Sequence, residues 1–179
     1  MEKKEDRRVK ITKRMLKDAL IELLKEKDIY HVSIRELCDR ADVNRTTFYK
    51  YYASQFDLLA DMERDILDFI EASVKHNEPQ AEKIVYSVCC YIEENLEFIR
   101  LIINNNVDPT FAEKLFSMDI IRKETLKRFK GHKTDAELEY LYSFLTYGTF
   151  RMICVWMNKE KRESPEDFAR LIDQALMNW

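Results

Sequence analysis

The chain has 179 residues, 46% hydrophobic and 35% charged, with a formal net charge of −3. That length sustains a real core in one large or two small domains, and only two glycines and three prolines argue for an all-α protein with short connections. Net charge alone would not suggest nucleic acid, but residues 1–53 carry 14 Lys+Arg against 10 Asp+Glu while residues 54–179 carry 16 against 23, a basic head on an acidic body that stays off phosphates.

The N-terminus, MEKKEDRRVK, lacks the apolar core of a signal peptide, so the expected location is cytoplasmic. Residues 1–8 read as a mobile arm in which Lys3, Lys4, Arg7 and Arg8 could add phosphate contacts. A first helix is expected from about Val9 to Lys27. Its apolar stripe is Ile11, Met15, Ala19, Leu20, Leu23 and Leu24, spaced to support whatever follows from behind.

Two short helices and the start of a third are expected between Ser33 and Leu59. Ser33 with Glu36 forms a capping box, flanked by Val32 and Leu37 at staple positions. Ile34, Leu37, Cys38 and Ala41 make one apolar face that ends before Asp42, a residue that tolerates left-handed backbone better than most. Asn44 is a good N-cap for the next helix, and Ser54 with Asp57 repeats the start signal. At about 100° per residue, Phe48, Tyr51 and Tyr52 share one side of the middle helix, while Arg45, Thr46, Tyr49 and Lys50 share the other. The first side is aromatic and packs inward. The second carries groups that bond base edges and phosphates. This is the pattern of a helix-turn-helix whose second helix reads duplex DNA with its N-terminal residues.

The stretch from about Ile11 to Leu59 resembles the DNA-binding domain of the TetR family of bacterial transcription regulators. The blocks that carry the likeness are ITKRMLKDALIELLKEKD, VSIRELCDRADV and above all NRTTFYKYY followed by FDLL. The form TFYKYY…FDLL is further similar to a subgroup regulating dihydroxyacetone kinase operons. The resemblance implies DNA-binding positions at Ser33, Asn44, Arg45, Thr46, Thr47, Tyr49, Lys50, Tyr51 and Gln55. It implies a helix-turn-helix domain over 1–53, a helical ligand-binding and dimerisation domain over 54–179, and a homodimer on operator DNA. Asp42 and Asp28 stand where the family favours glycine. Gln55 stands where lysine is usual, which predicts one ionic phosphate contact fewer per subunit and a shallower salt dependence.

A fourth helix is expected from Gln55 to about His76, burying Leu58, Leu59, Met62, Ile66, Phe69 and Ile70. In the resembled family this helix transmits ligand binding to the two heads. Pro79 opens the next stretch, to about Asn104, with a break near Asn95. Asp108-Pro109 caps a helix to about Lys130, ended by Gly131. Thr134 with Glu137 starts a long helix to about Asn158, and Ser164-Pro165 with Asp167 starts the last, ending near Asn178. That makes eight helices, or nine with the break near Asn95.

The long helix has two apolar faces and so needs two partners. Leu138, Leu141, Leu145, Gly148 and Met152 form one face, and Tyr140, Phe144, Tyr147 and Cys154 the other. The first face, with Phe168, Leu171, Ile172, Ala175 and Leu176 of the last helix, is expected at a dimer interface of four helices, as the resemblance implies. A ligand pocket is expected among residues 55–157, with Phe69, Tyr86, Cys90, Phe98, Phe116, Tyr140, Phe144 and Tyr147 as candidate lining. The tyrosines favour a polar-lined cavity, since buried hydroxyls need partners.

The stretch Leu141–Met157 is too short and too polar to span a bilayer, so no membrane partner is expected. Cys38, Cys89, Cys90 and Cys154 lack CxxC spacing, and His31, His76 and His132 lack ligand spacing. With no HExxH, phosphate loop or paired ExxH motif, no metal, cofactor or catalysis is expected. The sequence thus points to a DNA-binding regulator, a repressor released by a small molecule. A helical ligand-binding or scaffold protein that has lost operator binding is the alternative.

Overall fold

The helix-start signals close into hydrogen-bonded rings in the structure, a computed structural model that describes residues 7–77, 80–104, 107–127 and 134–177. The Ser33 hydroxyl accepts from the Glu36 N–H at 3.2 Å, and the Glu36 carboxylate accepts from the Ser33 N–H at 3.2 Å. Two donors left open by a helix start are thereby satisfied together. Thr134 and Glu137 repeat the ring at 3.3 and 2.7 Å. The Asn44 side chain accepts from the Thr46 N–H at 2.8 Å, and the Ser164 hydroxyl from the Asp167 N–H at 3.1 Å.

All regular structure among the described residues is helical. The elements are α1 (Arg7–Glu26), a 3-10 turn (Ile29–His31), α2 (Ile34–Ala41), α3 (Arg45–Tyr49), α4 (Gln55–Asn77) and α5 (Ala81–Glu94). There follow α6 (Leu96–Asn104), α7 (Phe111–Phe116), α8 (Asp119–Lys127), α9 (Asp135–Asn158) and α10 (Pro165–Met177). The expected break near Asn95 is present, where the Asn95 amide donates to the Tyr91 carbonyl at 2.9 Å. A second break, not expected, splits α7 from α8 at Ser117, whose hydroxyl donates to the Lys114 carbonyl at 2.8 Å. Both follow one rule: short polar side chains compete with the helical ladder for backbone groups. The proposed stops at Gly131 and Asn178, the start at Pro79, and residues 1–6 of the arm lie outside the described residues. Arg7 and Arg8 belong to α1.

The chain divides into two compact units, Met1–Ile66 and Leu67–Trp179, a division inside α4 rather than at residue 54. In the first unit Leu16 and Leu20 of α1, Leu37 of α2, Phe48 of α3 and Leu58 of α4 are all fully buried. The expected stripe of α1 is corrected at its start: Ile11 and Met15 are exposed, and Leu16 takes the inward position. In the second unit α10 packs on α5 and α9. Trp156 stacks on Phe168 with ring centroids 5.0 Å apart, and its indole N–H donates to the Glu163 carbonyl at 2.9 Å. The Arg100 guanidinium donates to the Met157 carbonyl, with Nε at 3.0 Å, so a cation serves the C-terminal end of α9.

Asp42 closes α2 in the left-handed region, at φ 51° and ψ 43°. A side chain there costs stability that glycine avoids, roughly 1 kcal/mol. Asp42→Gly is therefore expected to raise the stability of the first unit by about that amount, read as a higher urea midpoint with an unchanged slope.

Candidate nucleic-acid interface and a cavity in the second unit

A helix of five residues cannot hold itself together in water, so α3 depends on what lies behind it. Phe48 is fully buried and Tyr52 nearly so. Their rings pack 5.8 Å apart, and Tyr49 meets Phe48 edge-on at 5.6 Å and 84°. On the opposite side Arg45, Thr46, Tyr49 and Lys50 are exposed, as are Ser33 and Asn44. Thr47, Tyr51 and Gln55 are half-buried. Lys50 caps α3, its ammonium 5.7 Å from the centre of the Tyr51 ring. The angular sorting read from sequence thus places an aromatic back inward and a cationic, hydroxylated front outward.

Sequence reasoning missed the group that ties this unit together behind α3. Lys17 of α1 pairs with Asp61 of α4 at 2.9 Å and also with Asp65, and the Tyr52 hydroxyl donates to Asp61 at 2.9 Å. Burial works against both charges, yet their hydrogen bonds hold the Lys17 ammonium above its ordinary value and the Asp61 carboxyl below its own. Partners so far apart in sequence leave no periodic signal. Also missed is an exposed aromatic pair, Tyr30 on the 3-10 turn and Phe56 of α4, with centroids 5.3 Å apart.

Because the folded Asp61 carboxyl is more acidic than the unfolded one, its stabilisation is complete above the ordinary aspartate pKa of ~3.9. It is lost as the pH falls through the lowered folded value. Asp61→Asn should cost about 1 kcal/mol near pH 7 after allowance for solvent screening, and the difference should be smaller near pH 3, below the ordinary aspartate value. Urea melts at both pH values test this. An equal deficit at both would remove the charge from the account.

The cavity in the second unit, of about 260 Å³, is bounded by α4, α5, α7, α8, α9 and α10. Its wall differs from the expected pocket in both membership and character. Of the eight anticipated residues Phe116 lines it, whereas Phe69, Tyr86, Cys90, Phe98, Tyr140, Phe144 and Tyr147 do not. Phe69 stacks on Tyr91 at 4.1 Å, Phe98 is core, and Tyr86, Tyr140, Phe144 and Tyr147 are exposed. The lining is mostly aliphatic and phenyl, with Thr125, Thr146, Thr149, Glu124 and Lys127 added and no phenol.

Within one subunit the two apolar faces of α9 are buried unequally. Leu145 is buried with Thr146 against the cavity, and Leu138, Leu141 and Met152 are half-buried. The open side carries Tyr140 (79% exposed), Phe144 (55%), Tyr147 (54%) and Val155 (48%). Gly148 lies on that side, where an added Cβ would meet nothing within 4 Å. On α10, Phe168 and Ile172 are core, Leu171 is exposed, Ala175 is half-buried, and Leu176 lines the cavity.

Burial pushes the Cys89 thiol up to about 12 and also raises Cys38 and Cys154, so these three are poor nucleophiles. Among the described residues no cluster of three His, Cys, Asp or Glu could hold a metal, and no helix is long and apolar enough to cross a membrane.

A helix-turn-helix head followed by an all-helical body defines a class of transcription regulators, and comparison with known proteins agrees. Residues 16–62 match the family of bacterial regulatory proteins called tetR, and residues 80–178, more than half of the chain, match a transcriptional regulator C-terminal region. The chain belongs to the TetR family of transcriptional regulators.

A relative from Bacillus subtilis (strain 168), the uncharacterized HTH-type transcriptional regulator YxbF, is 23% identical over 176 residues. That match takes in 92% of this chain but only 45% of the relative, so the chain spans about half the relative's length. A TetR transcriptional regulator from Streptococcus agalactiae 2603V is similar in structure at 22% identity and a TM-score of 0.69, covering 96% of this chain and 97% of its own. The dihydroxyacetone kinase operon activator DhaS is similar at 20% and 0.63, covering 93% and 94%. At these identities the structures show the fold. DhaS stands no nearer than the streptococcal protein, so the narrower subgroup resemblance gains no separate support.

Proposed function

We propose that this chain is a sequence-specific DNA-binding repressor that acts as a homodimer and leaves its operator when the body binds a small molecule. The observation that carries the reading is the exposed face of α3. Arg45, Thr46, Tyr49 and Lys50 project from a helix whose back is fixed by Phe48 and Tyr52. A rigid back and a cationic front are what a recognition helix needs to enter a major groove. Arg45, at the N-terminal end, is assigned to a base edge. Thr46, Tyr49 and Lys50 are assigned to phosphates or base edges, with Ser33, Asn44, Thr47, Tyr51 and Gln55 around them.

A dimer is part of the proposal because one short helix reads too few base pairs for specificity in a genome. The open apolar side of α9 supports it, since a contiguous run of exposed rings needs a cover.

Gel shifts of the purified protein against its own upstream DNA test the reading. Arg45→Ala should lose about 1–3 kcal/mol of discrimination between operator and altered sites. Lys50→Ala should weaken binding to every sequence alike and flatten the salt slope by about one phosphate. No shift at any salt would favour the alternative, a helical ligand-binding or scaffold protein without operator binding. Unchanged preference in Arg45→Ala would remove that residue from the reading role.

A further inference from the structure

We infer that the cavity of the second unit takes a small, uncharged, predominantly apolar molecule of about ten heavy atoms. The size follows from the volume. A dry cavity of about 150 Å³ lined by Leu, Ile and Phe holds benzene, and this one is about 260 Å³. The class follows from the wall. Val74, Val85, Val88, Phe116, Phe150 and Ile153 present only carbon to the space. The two charged lining residues, Glu124 and Lys127, are paired with each other, so neither sign of ligand is called for. The Thr146 hydroxyl is committed to the Tyr142 carbonyl at 2.7 Å. Thr125 and Thr149 add hydroxyls that can meet one polar atom of a ligand.

An ion placed here would give up its water for hydrocarbon, which charged groups resist strongly. A neutral chain or ring bearing one hydroxyl or carbonyl would not. The occupant is a small molecule and not a second copy of the chain. The cavity is lined by Leu145, Thr146, Thr149, Phe150 and Ile153 of α9, whereas Tyr140, Phe144 and Val155 are exposed and outside its lining. A protein covering the open side of α9 would leave the cavity empty.

This inference rests on reading the body as a ligand-binding unit, and its test omits DNA so that the two can fail separately. The full chain is titrated calorimetrically with 1-octanol, octanoate and octylammonium, matched in length and differing in charge. Octanol is expected to bind at least tenfold more tightly than either ion. Methyl carbon signals of Val85, Val88 and Ile153 should shift on its addition. Val88→Phe and Thr149→Trp, each checked for helical content and melting, fill the space from two sides. Either variant, once folded, should weaken octanol at least tenfold.

Octanoate or octylammonium binding as well as octanol would overturn the assignment of class. Absence of binding by all three, or folded filling variants that bind octanol like the parent, would overturn the site itself. Octanol binding without any operator shift would sink the DNA reading and leave the cavity standing.

Discussion

Replacing Phe144 and Tyr147 together by glutamate should turn a dimer into a monomer and abolish binding to a two-half-site operator. Both rings stand more than half exposed on the open side of α9, with Tyr140, Gly148 and Val155 along the same side. A half-exposed aromatic ring leaves roughly 100 Å² to bury. Four such rings in a symmetric pair would contribute on the order of 10 kcal/mol at about 25 cal/mol per Å², before the cost of association. Glutamates would forfeit that and place like charges across a two-fold axis, where each residue meets its own copy or a near neighbour. Both side chains are more than half exposed, and since Tyr147 also packs on Phe116 at 4.3 Å, parental helical content in the variant is the control for an intact subunit. Sedimentation at micromolar concentration should show the parent as a dimer and the variant as a monomer. A variant that sediments with the parent would show that α9 does not carry the interface.

That expectation uses the face the sequence places inside, because the rings of that face are exposed in the single subunit. Periodicity showed that α9 is apolar on two sides, a property of the helix alone. Which side meets its own core depends on neighbours far away in sequence. From the sequence, the leucine face is expected at the interface and the aromatic face in the interior. The core takes Leu145, Cys154, Trp156 and Met157, and two of the four large exposed side chains, Tyr140 and Tyr147, are phenolic. Tyrosine is at home on such a surface, since its ring can be covered while its hydroxyl stays wet.

The head was more legible, because its signals are local. Ser33 with Glu36, Asn44 before Arg45 and the alternation of Phe48 with Tyr49 are rules satisfied within one or two turns. Even the anomaly at Asp42 could be read, since a short polar side chain that replaces glycine at a helix end points to left-handed backbone. The Lys17–Asp61–Tyr52 group was invisible for the opposite reason. Its members lie on three different segments, and no spacing rule relates them. The cavity was illegible in the same way, because a void is what several helices leave unfilled rather than something one helix encodes. Counting tyrosines suggested a polar lining, but those tyrosines went to the surface.

Phe48→Ala is expected to do more damage to DNA binding than loss of any residue on the exposed face. Phe48 is fully buried and holds the rings of Tyr49 and Tyr52 at 5.6 and 5.8 Å. Truncating a buried phenylalanine costs about 3–5 kcal/mol. A unit of this size has only about 3–10 kcal/mol in total at ~0.05–0.15 kcal/mol per residue. The five residues of α3 have no stability of their own to fall back on. Amide exchange over α2 and α3 should therefore accelerate by two or more orders of magnitude, as expected from about 3 kcal/mol, while α9 and α10 keep their protection. Operator and unrelated DNA should be lost together. That pattern separates a lost scaffold from a lost contact, since Arg45→Ala should spare the fold and change only preference. A Phe48→Ala protein with parental exchange and operator affinity would mean that α3 is held by something other than its aromatic back, and the assignment of its front to DNA would lose its physical basis.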